Sequence, residues 1–249
     1  MKILKRYRFI LEYDGSQFFG WQRQLLKPTV QQALEDQLEF FAKHPVTIHG
    51  AGRTDTGVHA TGQVAHADLN YPHSPYRLQV ALNHFLAPKG LSVVSCHEVD
   101  SNFHARFSAV HRCYQYRILN RVAPAVWDTK VWHVAKPLDA NAMHEAAQQL
   151  VGTYDFSAFR DSKCQSKSPI KTLSQFDVRR YGDQIIATIK APSFLHHQVR
   201  IMIGTLKAVG IGALSLDEFI NIRDIKDRTK AGVTAPPEGL TLMEVGYPF

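Results

Sequence analysis

The sequence lacks the features that would set it apart from folded, globular proteins. It has no run of 18 or more apolar residues, so no segment reads as a membrane-spanning helix. Residues 1–8 interrupt their apolar positions with cations instead of building the continuous apolar core of a signal peptide. Neither secretion nor membrane spanning is expected. Cysteine is scarce: Cys96, Cys113 and Cys164 are odd in number and widely separated, giving neither a disulfide framework nor the paired spacing of a zinc site. A reducing cytoplasm suits them. The His-x-Glu and Pro-Cys-x-x-Cys pattern of zinc deaminases is missing. His196 and His197 stand side by side, but on a helix such neighbours diverge by about 100°, and no His at i+4 joins them. No metal site is expected.

What is present is ordinary in bulk and pointed in detail. The 249 residues, 45% hydrophobic, 10% aromatic and 20% charged, suffice for one large core or two of ordinary size. The net charge of +7 favours a polyanionic partner, because each cation set against a phosphate releases a condensed counterion.

Periodicity supplies the organisation. Residues 7–13 alternate, with Tyr7, Phe9, Leu11 and Tyr13 on one face, as in a half-buried strand. Thr29 and Gln32 form a capping-box pattern ahead of Val30, Leu34, Leu38 and Phe41 at helical spacing. Short strands are predicted at 46–49 and 63–69. Ser74-Pro75 opens a helix with Leu78, Leu82 and Phe85 on one face, and 91–99 reads as a strand. The second half repeats the order: a strand at 112–119, a helix at 139–151, strands at 171–180 and 184–190, a helix from about 195 to 209, and a strand at 240–245. Each half reads β-α-β-β-α-β, the ferredoxin-like order. The expected fold is α+β: two ferredoxin-like halves, 1–104 and 105–249, forming a continuous, mainly antiparallel sheet. Helices would cover one face and leave a ligand surface on the other.

Three segments carry polar payload. The first, residues 50–64, places four glycines around Arg53, Thr54, Asp55 and Thr56 in a strand-to-strand connection. Asp55 either serves chemistry or closes an Asx-turn, and Arg53 either holds that carboxylate ionised or clasps a phosphate. The second, Phe103-His104-Ala105-Arg106-Phe107, interleaves cations with aromatics before a strand containing Tyr114 and Tyr116. That pattern suits an unpaired nucleotide, with rings stacking on bases and Arg meeting phosphates, while the ordinary reading, an inward-packed strand with Tyr114, Tyr116 and Ile118 inside, is favoured for any single tyrosine. In the third, residues 195–207, Leu195, Val199, Met202 and Leu206 form the core side, and His196, Arg200, Gly204 and Lys207 fall on another. The basic run Lys163-Cys164-Gln165-Ser166-Lys167 is either a solvated loop or a phosphate contact.

Taken together, Gly52-Arg53-Thr54-Asp55-Thr56-Gly57-Val58-His59, the 103–107 segment, Tyr114-Gln115-Tyr116 and Phe194-Leu195-His196-His197-Gln198-Val199-Arg200 resemble the tRNA pseudouridine synthases of the anticodon arm. The likeness extends to Gly20-Trp21-Gln22-Arg23-Gln24 near the start and to residues 234–240 near the end. It implies a cytoplasmic homodimer with a basic cleft, converting uridines at tRNA positions 38, 39 and 40 by base flipping and without a cofactor. The family's catalytic aspartate falls on Asp55, its active-site tyrosine on Tyr114 and its cleft arginine on Arg200; Arg200 is expected to pair with Asp55 and orient it. Arg53, Phe103, His104, Ala105, Arg106, Phe107, Tyr114, Arg121 and the run Lys163, Cys164, Gln165, Ser166 and Lys167 fall where the family contacts tRNA. Two departures stand out. Thr56 replaces a common alanine, and Cys113 replaces a common basic residue, which weakens one phosphate contact.

Overall fold

The structure, a computed structural model, describes residues 4–71 and 73–248; the cationic start at 1–3 lies outside the described residues. The chain divides into two compact units, one comprising 1–110 with 241–249 and the other 111–240.

The first unit runs β1 (Lys5–Tyr13), α1 (Val30–Ala42), β2 (His49–Gly50), β3 (His59–Leu69), α2 (Pro75–Leu86) and β4 (Leu91–Val99). β1 is central, antiparallel to β3 on one edge and β4 on the other. Its alternation is as expected: Tyr7, Phe9, Leu11 and Tyr13 are buried, and Arg6, Arg8, Ile10 and Glu12 point to the other face. The Thr29 hydroxyl accepts from the Gln32 N–H and Ser74 from Arg77, so both caps do what their spacing implied. The stripe of α2 differs from expectation. Leu78, Leu82 and Leu86 are buried, whereas Phe85 is turned outward into a cluster of tilted rings with Phe40 and Phe41.

The second unit runs β5 (His111–Leu119), β6 (Trp132–His133), α3 (Ala140–Gln148), β7 (Gly152–Asp155), β8 (Ile170–Leu173), β9 (Gln175–Tyr181), β10 (Gln184–Ala191), α4 (Gln198–Gly210) and α5 (Leu216–Ile225). β10 lies between β5 and β9, antiparallel to both. The single strand expected at 171–180 is two: β8 pairs with β7, and after Ser174 the chain re-enters as β9. The last strand, β11 (Leu240–Gly246), joins the first unit from Thr241 on, pairing in parallel with His59 and Ala60 at the start of β3. That return is why the observed units are not the expected 1–104 and 105–249.

The fold is therefore mixed α+β with mostly antiparallel pairing. No described helix is long and apolar enough to cross a membrane. The second unit keeps a covered and an open sheet face, but the expected site residue Tyr114 falls on the covered one. Tyr114 shares its side of β5 with buried Tyr116 and Ile118 and lies opposite buried Ile189, on the side that α3 covers. The other side is polar, with Gln115, Asp177, Arg179 and Thr188 lining an open depression of about 330 Å³.

Candidate active site

Asp55 sits in the connection between β2 and β3, and its backbone is held from several directions. The Asp55 carbonyl accepts from the Val58 N–H at 3.1 Å, closing a turn whose third residue, Gly57, has φ +82°. That left-handed backbone favours glycine. Thr54, immediately before, is buried and fixed at both ends: its carbonyl accepts from the Trp21 N–H at 3.0 Å, and its hydroxyl bonds to the Tyr13 phenol at 2.8 Å. Gln63 reaches the Gly52 carbonyl at 2.9 Å and the Tyr13 oxygen at 3.4 Å, while the Ala51 N–H bonds to the Val64 carbonyl at 2.7 Å. Burial pushes the Tyr13 phenol up to about 12, so it remains a neutral hydroxyl. Gly20 closes the cradle, since a Cβ there would lie 2.7 Å from the Thr54 oxygen and 3.1 Å from the Asp55 carbonyl carbon. The Asp55 side chain is half-buried and Arg53 is exposed.

The 103–107 segment follows β4 in the same unit. Arg106 and Phe107 are exposed, the guanidinium 5.7 Å from the ring centroid, while Phe103 and His104 are half-buried. Ala105 is buried. Its carbonyl accepts from the Tyr247 hydroxyl at 2.7 Å, so this residue anchors the segment and does not present its side chain to solvent.

In the second unit, Tyr114 is half-buried with its ring edge-on to Phe194 at 5.3 Å. Arg200 lies in the first turn of α4, its Nε donating to the Ala235 carbonyl at 2.7 Å. The helix begins at Gln198, later than expected, because His197 adopts φ +58° and the Gln198 side chain caps the Leu195 N–H at 2.8 Å. His196 and His197 thus precede the helix, and their rings lie 3.9 Å apart, tilted by 30°, instead of diverging. Leu195, Val199, Met202 and Leu206 are buried as expected, but so is Gly204.

The 163–167 run packs beside that helix start. Asp161 bonds His197 at 2.8 Å and the Lys163 N–H at 2.8 Å, and Arg160 donates to the carbonyls of Cys164 at 2.9 Å and Ser166 at 2.7 Å. Burial works to raise the Asp161 carboxyl, but the Lys163 N–H and His197 outweigh it and hold it below the usual carboxylate range. Lys163, Gln165 and Lys167 remain exposed, and Cys164 and Ser166 are half-buried. Arg121 folds onto its own loop, donating to the Ala123 carbonyl at 3.0 Å.

Sequence reasoning missed the holders: Tyr13, Gln63, Asp161, Arg160 and, beneath the 103–107 segment, His66 and Arg6. None has a recognised motif: Tyr13, Gln63, His66 and Arg6 act on residues brought near only by folding, and Arg160 and Asp161 tie neighbours two to six residues on within their own loop. The Gly20 region alone carried a signal, as part of the resemblance.

A profile described as tRNA pseudouridine synthase matches residues 10–108 and 146–248. A protein of Paramagnetospirillum magneticum named tRNA pseudouridine synthase A is 52% identical over 245 residues, covering 98% of this chain and 96% of the relative. Relatives of the same name from a Methylobacterium species and from Rhodospirillum rubrum are 51% and 50% identical, covering 98% of this chain in both cases and 98% and 88% of the relatives. With its polar loops cradled as described and nearly its whole length matched, this chain belongs to the tRNA pseudouridine synthase family, isomerases acting on uridine in tRNA.

Proposed function

We propose that the chain isomerises uridine to pseudouridine at positions 38, 39 and 40 of the tRNA anticodon arm, with Asp55 as the essential carboxylate. The observation that carries this reading is the fixed backbone around Asp55: a reacting carboxylate needs its direction set before substrate arrives, and buried hydrogen bonds on both flanks set it. The reaction breaks the C1′–N1 bond, turns the freed uracil, and joins C5 to C1′ while the C5 proton leaves and N1 regains one. Atoms and electrons balance within the nucleotide, so no redox or group-carrying cofactor is required. A carboxylate serves either as nucleophile, by analogy with glycosyl transfer, or as the base that takes the proton.

A uridine in the anticodon stem is stacked and paired, so it must be extruded, at a cost of a few kcal/mol offset by phosphate contacts and stacking. In this reading Tyr114 packs against the extruded base, Arg200 completes the catalytic set, and Arg53 holds the backbone during extrusion. Phe103, His104, Arg106, Phe107, Arg121 and residues 163–167 meet the tRNA, with Ala105 supporting them from inside. The net charge of +7 suits that partner. The fold is read as two ferredoxin-like halves, and the working enzyme as a cytoplasmic homodimer.

The test is to map pseudouridines in tRNA from cells with and without this chain. The reading expects loss at positions 38–40 alone, restored by the intact gene and by enzyme assayed in chelator. Unchanged modification at those positions would overturn it and favour a non-catalytic RNA-binding module.

A further inference from the structure

The sheet face of the first unit that points away from α1 and α2 carries a cluster of imidazoles beneath the 103–107 segment. His66, on β3, is 2% exposed. Its ring stacks on His49 with centroids 5.1 Å apart and meets His104 at 4.6 Å. Its Nδ1 accepts the Ala105 N–H at 3.1 Å. His104 repeats the device within the segment, its Nδ1 accepting from the N–H groups of Arg106 at 3.1 Å and Phe107 at 3.3 Å. Arg6 adds a donor to the Phe103 carbonyl at 2.9 Å.

An imidazole nitrogen that accepts from a backbone N–H must keep its lone pair, so both rings are neutral and protonated on Nε2. Protonating Nδ1 would set two N–H groups against each other and strand a buried charge. The surroundings oppose that charge. Arg6 and Arg8 on β1, His49 on β2, His97 across Arg8 on β4, and His104 and Arg106 in the segment are actual or potential cations. Tyr247 bonds the Ala105 carbonyl, and of the nearby acids, Asp100 lies at the segment's start and Asp68 is already paired with Arg6 at 2.7 Å.

We propose that His66 is a positioning residue for the RNA-contact segment: its neutral Nδ1 fixes Ala105, presents Arg106 and Phe107 to tRNA, and lets go as the solution is acidified. The proposal rests on the reading that 103–107 touches RNA. Burial, followed by the charges of His104, Arg6 and His49, pushes His66 down to about 4, and burial with its neighbours lowers His104 as well. The sign follows from linkage. Above the ordinary pKa of about 6.5 the released and ordered states are both neutral; between there and about 4 only the released state binds the proton, so order weakens as pH falls through that window.

Hydrogen exchange of the Ala105 amide, the one His66 accepts, in RNA-free protein tests this at pH 7 and pH 5, corrected for intrinsic rates and with β1 amides as internal reference. Protection is expected to drop about tenfold or more on acidification in the wild type. It should hold steady in His66→Asn, whose Oδ1 accepts without titrating, and be lost at both pH values in His66→Leu. His66→Leu should also raise KM for tRNA several-fold with kcat changed less than about twofold, and His66→Asn should restore KM. Equal protection at both pH values in the wild type, or the same acid loss in His66→Asn, would overturn the positioning role. If protection behaves as expected while KM does not move in His66→Leu, the positioning stands and the RNA-contact reading of 103–107 is what fails.

Discussion

Two polar segments of the first unit are held in place by opposite chemistry. The Asp55 connection is clamped by groups that keep one protonation state through the physiological range: the Tyr13 phenol, the Thr54 hydroxyl, the Gln63 amide and main-chain N–H groups. The 103–107 segment is held by imidazole nitrogens surrounded by cations. The first arrangement should ignore acid and fail in alkali, and the second should do the reverse. The difference teaches that two polar segments of one unit can be fixed by devices that answer to pH in opposite directions; in the proposed reading, one sets the carboxylate and the other the RNA contact.

Gly20→Ala should damage the first clamp most. Its φ of +83° and the 2.7 Å approach to the Thr54 oxygen leave no room for a methyl group, so stability should fall by about 2–4 kcal/mol in urea titration. Turnover should fall with it, because the displaced atoms adjoin Asp55; a variant as stable and active as wild type would break the cradle argument.

Tyr13→Phe comes next. It leaves the Thr54 hydroxyl without its phenol partner at a buried site, at a cost of about 1–3 kcal/mol. Because burial raises Tyr13 from 10 to about 12, the folded state favours the neutral phenol, and that contribution, on the order of 2–3 kcal/mol, is present below pH 10 and lost as pH rises toward 12. The wild type should therefore lose stability over that alkaline window more steeply than Tyr13→Phe, and parallel curves would contradict the assignment.

The smallest effect belongs to the exposed rim. Arg106→Ala should weaken tRNA binding modestly and lower the slope of log K against log salt by about 1. An unchanged slope would remove Arg106 from the phosphate contacts.

Much of this architecture was readable from local chemistry. Thr29 and Ser74-Pro75 marked their helices because a cap depends on residues three apart, and β1 announced itself by alternation. The Asp55 connection stood out through its glycines, one of which, Gly57, makes the turn. What escaped was either nonlocal or ambiguous. The pairing of β11 with β3 joins residues far apart in sequence, and Tyr13 and Gln63 reach the Asp55 connection from strands that only folding brings there. Helix α5 was overlooked although Ser215 and Glu218 form a complete capping box, because its apolar face is narrow, with Phe219 and Ile222 buried. Phe85 departs from expectation because the buried stripe passes instead through Leu86.

The measurement closest to the centre is tritium release from tRNA labelled at uridine C5, run on Asp55→Asn beside tRNA binding by the same protein. The account predicts binding within about twofold of wild type and a rate lower by about 10³-fold or more. Release at the wild-type rate would contradict it.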